Sequence, residues 1–292
     1  MAQDSDLRRH VAYLLCASNC GVSDNDAVTE PVLSLTRQRD ALPVRHIPPH
    51  RVWHWLALGL ADLRAAPTAS LIQGLTVTVG GWMVVVIARY YWWLAPGAIS
   101  GFLLVGPILC TGFYELSRLR ARGERPGLPA VANAWRRDSR PLVRLGLLLL
   151  LLGSLWVLLS ALLFWMFVPT PIRSPLEFLH YAAVDQGILL FALWAIVGGL
   201  GAAVVFALAA VSPPLLLGRM VGLRQALLTS VRAVGENPVT MALWASLILV
   251  AILLSFATAM LGFLIAVPLI GHATWHAYKD LVVTDGVPLR YE

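Results

Sequence analysis

Charge is scarce in this chain. Of its 292 residues only 13% are Asp, Glu, Lys or Arg, while 58% are apolar, and the mean hydropathy is +0.73. A soluble domain carries roughly a quarter charged residues; here the stretch Leu145 to Val168 has none. A water-soluble globular protein is excluded, and the lipid bilayer is the expected solvent for most of the chain. Lysine is nearly missing too: Lys279 stands alone, so 21 of the 22 basic residues are arginine, and the net charge is +6. No basic stripe with interleaved stacking aromatics lies outside the apolar runs, which argues against a nucleic-acid partner. The arginines fall between hydrophobic runs, where they report orientation and meet anionic headgroups.

Cysteine is equally thin. Cys110 lies in an apolar run, and Cys16 and Cys20 lack a second ligand pair, so neither a disulfide framework nor a zinc site is expected. The opening "RRHVAYLLCASNC" has too short an apolar run, and no A-x-A-like site, for a cleaved signal peptide. No P-loop, nucleophile elbow or H-E-x-x-H motif occurs. With no catalytic signature, an enzyme is the less favoured class.

What is present is a series of apolar runs of membrane-spanning length. Crossings are expected at 71–93, 97–117, 142–168, 187–211, 239–259 and 261–279. The last two share one apolar run too long for a single crossing, so a hairpin turn is placed near Thr258 to Gly262. Residues 1–50, polar and without periodicity, are expected to form a mobile cytoplasmic tail, followed by a membrane domain over 51–283 and a short tail over 284–292. "WHWLALGLADLRAAP" (53–67) has the pattern of an amphipathic helix on the membrane surface, with Asp62 and Arg64 on its polar side.

Eight arginines between Arg118 and Arg144, and Arg219, Arg224 and Arg232, mark one side; Arg173, with Glu177 and Asp185, marks the other. Positive-inside counting then puts both termini in the cytoplasm. "RYYWWLAP" (89–96) falls at the outer interface, where Tyr and Trp are favoured.

The runs also repeat. "GFLLVGPILCTGFYELSR" (101–118) aligns without gaps to "GFLIAVPLIGHATWHAYK" (262–279), and "ADLRAAP", "AWRRDSRP" and "SVRAVGENP" precede the odd-numbered crossings. Each approach ends in a proline that permits a new helix start. The expected fold is therefore all-α: a polytopic bundle of six transmembrane helices with interfacial helices, built from three parallel two-span repeats.

The repeat sets His276 opposite Glu115, and His272 lies four residues earlier on the same helix face. Tyr114, Glu115, His272, Trp275, His276 and Tyr278 are expected to share a polar layer near the cytoplasmic ends of the second and sixth crossings. An ionisable group at membrane depth is a candidate site, although the same residues could simply satisfy helix ends. A metal held by His272, His276 and Glu115 is the sharpest version, with donor types suited to zinc, copper or iron. Bis-histidine haem ligation within one chain is disfavoured: both imidazoles leave one helix face, and His180, the remaining histidine near the membrane, is on the outer side. No cofactor is expected outright. Glu177 and His180 read as part of a solvated loop, and "GGLGAA" (198–203) as a packing surface for this chain or a partner.

"VGPILCTGFYELSR" (105–118), "AVSPPLLLGR" (210–219), "TSVRAVGENPVTMALWASLI" (229–248) and "VPLIGHATWHAY" (267–278) occur in that order. Over about residues 52–283 the chain resembles a bacterial family of six-span integral membrane proteins of unknown function, some members of which are labelled cytochrome c oxidase subunits. The family tends to carry an acidic residue where this chain has Gly218 before Arg219. A haem-copper catalytic subunit is excluded, because its two haems and copper need more histidines than lie near the membrane here. An apolar, repeat-built helical body with little buried charge leads to the expectation of a non-enzymatic accessory or assembly component of a larger membrane complex, with a membrane-protein partner or a second copy of the chain. A transporter with a polar pocket near the cytoplasmic face, and a metal- or haem-binding redox protein, are the alternatives.

Overall fold

The computed structural model describes residues 41–91, 109–129, 131–132, 140–167 and 187–290. Outside them lie the expected tail as far as residue 40 with Cys16 and Cys20, the outer-interface residues 92–96, and most of the 97–117 crossing. The arginines at 136 and 137 and the loop residues Arg173, Glu177, His180 and Asp185 also lie outside.

The described residues are helical, with no named strand and two isolated β-bridges, Val44 with Val282 and Arg219 with Leu289. The helices are α1 (Arg51–Ala65), α2 (Pro67–Tyr90), α3 (Thr111–Ala121), α4 (Arg140–Phe167), α5 (Gly187–Ala209), α6 (Ser212–Gly218), α7 (Leu223–Glu236), α8 (Pro238–Ala257) and α9 (Phe263–Leu281). Proline opens α2 and α8, where its missing N–H costs nothing and its fixed φ suits a first turn. At the two joins the preceding residues adopt nearly the same backbone angles, φ −132°, ψ 57° at Ala66 and φ −128°, ψ 51° at Asn237.

Among the described residues four helical stretches are long and apolar enough to cross a membrane: Pro67–Val86, Arg140–Phe167, Ile188–Gly218 and Pro238–Ala257. α9 covers the expected sixth crossing but is not one of them, because its second half carries His272, Thr274, His276, Lys279 and Asp280. The turn between α8 and α9 runs through Thr258 to Gly262, where the sequence places a hairpin, with Ala259 (φ 50°) and Met260 (φ 68°) in the left-handed region. The Thr258 hydroxyl steadies the turn by accepting from the Gly262 N–H at 3.0 Å.

α9 is the centre of the packing. Its C-terminal half is buried almost all round, at Gly271 to Trp275, Ala277, Tyr278 and Leu281, and it packs on α1, α2 and α3. Close approach is possible because glycine sits at each contact. A Cβ at Gly59 of α1 would lie 2.8 Å from the Ala273 backbone nitrogen, and one at Gly74 of α2 would lie 2.6 Å from the Leu264 carbonyl oxygen. On the third side, a Cβ at Gly271 would lie 2.6 Å from the Phe113 ring of α3. Pro268 cannot donate to the carbonyl four residues back, so the Leu264 oxygen that faces Gly74 lacks its usual helical donor.

The tail boundary expected at residue 50 needs correction. Ala41–Glu292 forms one compact unit, because residues 41–50 are stitched to distant segments. The Leu42 N–H donates to Thr229 Oγ1 at 2.9 Å, and the Arg45 N–H to the Leu281 carbonyl at 2.8 Å. Asn237 ties three segments together, accepting from the Ile47 N–H at 2.6 Å and donating to the carbonyls of Arg45 at 3.0 Å and Ala233 at 3.1 Å. At the other end the Met220 N–H reaches the Pro288 carbonyl at 2.9 Å and the Arg290 N–H the Gly218 carbonyl at 3.2 Å, which anchors the C-terminal segment.

Gly59→Ala is expected to lower stability by about 1–3 kcal/mol, since the clash is with backbone that cannot rotate away. Gly201→Ala, which meets nothing within 4 Å, should be neutral or slightly stabilising in its helix. Thermal unfolding of both variants in detergent checks the contrast.

Candidate functional site

The polar cluster is built where α1, α2, α3 and α9 meet. In α1 the buried positions are Val52, Trp55, Gly59, Asp62 and Leu63. Asp62 thus continues the stripe that faces α9, and its expected place on the polar side is corrected: it is only 4% exposed. A carboxylate buried there needs donors, and it finds them on two other helices. His276 Nε2 lies 2.8 Å from Asp62 Oδ2, and the Arg120 guanidinium donates to Asp62 Oδ1.

His272 lies one turn deeper along α9 and is fully buried. Its Nδ1 is 2.7 Å from the Ser117 hydroxyl of α3, its Nε2 2.9 Å from the Ser70 hydroxyl of α2, and its ring meets Phe113 edge-on at 5.4 Å. Nδ1 stands 4.0 Å from Asp62 Oδ2, with Ser117 engaging the carboxylate as well. Hydroxyls of α2 and α3 thus engage both ring nitrogens of His272.

Burial alone would raise the Asp62 carboxyl, but hydrogen bonds from His276, Ser117 and Arg120, with the charge of His276, outweigh it and leave it below the ordinary value. At the far end of α1, Asp280 is treated alike: burial opposes its charge, and Arg51 and Trp55 favour it. Arg51 forms a bidentate pair with it at 3.0 and 2.9 Å, and the Trp55 indole donates at 2.8 Å. Two carboxylates, one on each helix, therefore clamp α1 to α9.

The six residues expected in one layer are divided among three surroundings. His272 and His276 meet Asp62, as above. Glu115 is buried, and both its oxygens accept from Arg118, at 2.7 and 2.8 Å, as an (i, i+3) pair. Trp275 and Tyr278, their rings 5.4 Å apart, lie on another side of α9, where Trp275 approaches Gly218 and Tyr278 reaches Arg219. Tyr114 is buried in the main apolar core with them. The division follows from the 100° step of a helix: residues 272 and 276 share a face, whereas 275 and 278 turn away from it.

For a metal, the carboxylate beside the histidines is Asp62 in place of the expected Glu115. The nearest donor set is Asp62 Oδ2, His276 Nε2 and His272 Nδ1, each already in a hydrogen bond. Among the described residues no three His, Cys, Asp or Glu side chains are placed to hold a metal ion. What the arrangement does well is carry hydrogen bonds continuously between Arg120 and Ser70. One turn beyond Ser70 on α2, the Gln73 amide oxygen is the buried side-chain atom without a hydrogen-bond partner among the described residues. It packs on Gly112, where a Cβ would overlap it.

Sequence reasoning missed Asp62, Ser70, Gln73, Ser117 and Arg120. A signal existed for Asp62, the one acid of α1, in phase with Val52, Trp55 and Gly59 at helical spacing. The serines gave none, since a hydroxyl in an apolar helix ordinarily bonds its own backbone.

Asp62→Asn is expected to cost about 2 kcal/mol at neutral pH, between the values for exposed and buried pairs because Arg120 is 40% exposed. Since the folded chain holds this carboxyl below 3.8, its contribution is complete above that value and disappears as pH falls through the folded pKa. Melting curves of wild type and variant against pH should therefore differ at neutrality and converge in strong acid.

No curated protein and no solved structure matches the chain. Residues 94–218 match the model of a family described as "Predicted integral membrane protein (DUF2189)", a stretch that holds Glu115, Ser117, Arg118 and Arg120. Taken with the four long apolar helices, the match identifies an integral membrane protein that sits in a lipid bilayer and carries, over that stretch, a membrane domain of unknown function.

Proposed function

We propose that the chain is a non-enzymatic accessory or assembly component of a larger membrane complex in the bacterial inner membrane, with a respiratory oxidase as the class of complex that the family resemblance implies. The observation that carries this reading is the contrast between two halves of the molecule. α9 is enclosed by α1, α2 and α3, whereas the apolar windows of α4 and α5 are only 18% and 11% buried. Between α4 and α5 runs an apolar groove of about 570 Å³, lined by Leu155, Trp156, Trp194, Gly198 and Gly201 among others. Small residues on such a face let a partner helix approach closely.

The six-crossing, three-repeat architecture with both termini cytoplasmic is part of the same proposal. It is supported by the matching backbone angles before Pro67 and Pro238, each join following an arginine-bearing helix, α1 or α7. α9 would be the sixth crossing, its polar half covered by protein instead of lipid.

Gly201→Leu adds bulk to open space on α5, so it should leave stability unchanged while reducing recovery of a partner in affinity purification from mild detergent. Wild-type protein that migrates alone on native gels, with no co-purifying membrane protein or second copy, would sink the proposal.

A second reading, an ion or small-solute transporter with a pocket at Glu115, His272 and His276, is favoured by one observation. His276, 19% exposed, links the outside to the buried hydrogen-bond chain that ends near the unpartnered Gln73 oxygen. In proteoliposomes, wild type and a Glu115→Ala, His276→Ala double variant should then differ in flux; identical leak disposes of this reading.

A further inference from the structure

Around the C-terminus of α9 lie four cations, Arg45, Arg219, Lys279 and Arg290, that form no ion pair among the described residues. Arg45 Nη1 donates to the carbonyls of Lys279 at 3.3 Å and Asp280 at 3.2 Å, capping the helix end. Arg219 Nη1 donates to the Val287 carbonyl at 2.6 Å. Arg290 donates to the carbonyls of Arg219 at 3.2 Å and Val221 at 3.1 Å. Lys279 is within electrostatic reach of both Arg45 and Arg219, which repel it.

Among the described residues none of these four side chains has a carboxylate within ion-pair distance. Asp280 is committed to Arg51 and Trp55, and Asp285 acts on Lys279 only through space. The arginines hold backbone oxygens with part of their five N–H groups, so donors remain for an anion. Beside them two apolar side chains are exposed, Met220 at 60% and Leu289 at 39%. Met220 follows Arg219 in the chain, and Leu289 bridges to Arg219 and precedes Arg290. Uncompensated positive charge next to exposed apolar surface fits a phosphate that carries acyl chains better than a free phosphate.

We propose that Arg45, Arg219, Lys279 and Arg290 bind the phosphate of an anionic phospholipid, with Met220 and Leu289 against its acyl chains. The lipid would neutralise the cluster and fasten the C-terminal segment to the end of α9. This goes beyond the partner-binding face on α4 and α5, which lies on other helices and can fail independently.

The test uses the full chain in nanodiscs of phosphatidylcholine alone or with phosphatidylglycerol, followed by thermal unfolding and by native mass spectrometry of retained lipid. Phosphatidylglycerol should raise the unfolding midpoint and remain as a discrete bound lipid. Lys279→Gln should weaken that retention about fivefold, the effect of one basic side chain near an anionic headgroup. Among the described residues the Lys279 side chain makes no hydrogen bond, so this variant removes charge without removing a staple; Arg45→Gln should act in the same direction. Arg232→Gln, which removes the same charge from a side chain already paired with Glu236, should change nothing. Equal retention by Lys279→Gln and wild type, or an equal loss in Arg232→Gln, would falsify the site. Inorganic phosphate that stabilises the protein equally in phosphatidylcholine discs would overturn the lipid assignment in favour of a soluble phosphate ligand.

Discussion

The close passage of α9 against three other helices is the constraint on which the rest of the described structure depends. Glycine at 59, 74 and 271 removes the side chain at each contact, so two helix backbones and the Phe113 ring approach α9 to distances at which any larger residue collides. Every polar group carried into this packing must then find a partner within the protein, and the cost of failing is severe in a membrane. Asp62 illustrates the consequence. Gly59 brings α1 onto α9, the helix repeat carries Asp62 to the same face, and His276 and Arg120 complete the solution.

The resulting polar cluster ties helices far apart in sequence. Asp62 joins α1 to α3 and α9, and Ser70, Ser117 and His272 join α2 to α3 and α9. Buried ionic and hydroxyl networks of this kind often add less stability than apolar packing of the same volume. Their contribution is specificity: one register satisfies all these groups, and a slip by one helical turn would strand them.

The chain ends repeat the same logic at lower density. Residues 41–50 and 282–290 form no helix, yet both are fixed: Leu42 and Val282 enter the main apolar core, and side chains and backbone groups of α7, α9 and the α7–α8 join accept and donate to them. Asn237 does at the α7–α8 join what a longer loop could not: it ends one helix, precedes the proline that starts the next, and anchors an incoming strand-like segment.

The sequence by itself determined the bilayer as solvent, the all-helical class, the proline-started helices and the hairpin turn at Thr258–Gly262. These are consequences of local composition and of distance along the chain: a long apolar run must be a helix in lipid, and a run of double length must turn. Which carboxylate meets the histidines was not legible, because it depends on how far apart the helices stand and how each is rotated. The repeat suggested Glu115, which instead takes its own neighbour Arg118, while Asp62 arrives from a helix 214 residues away along the chain. Only the tertiary structure could decide that, since glycine contacts set the interhelical distances and no periodicity in one segment encodes the rotation of another.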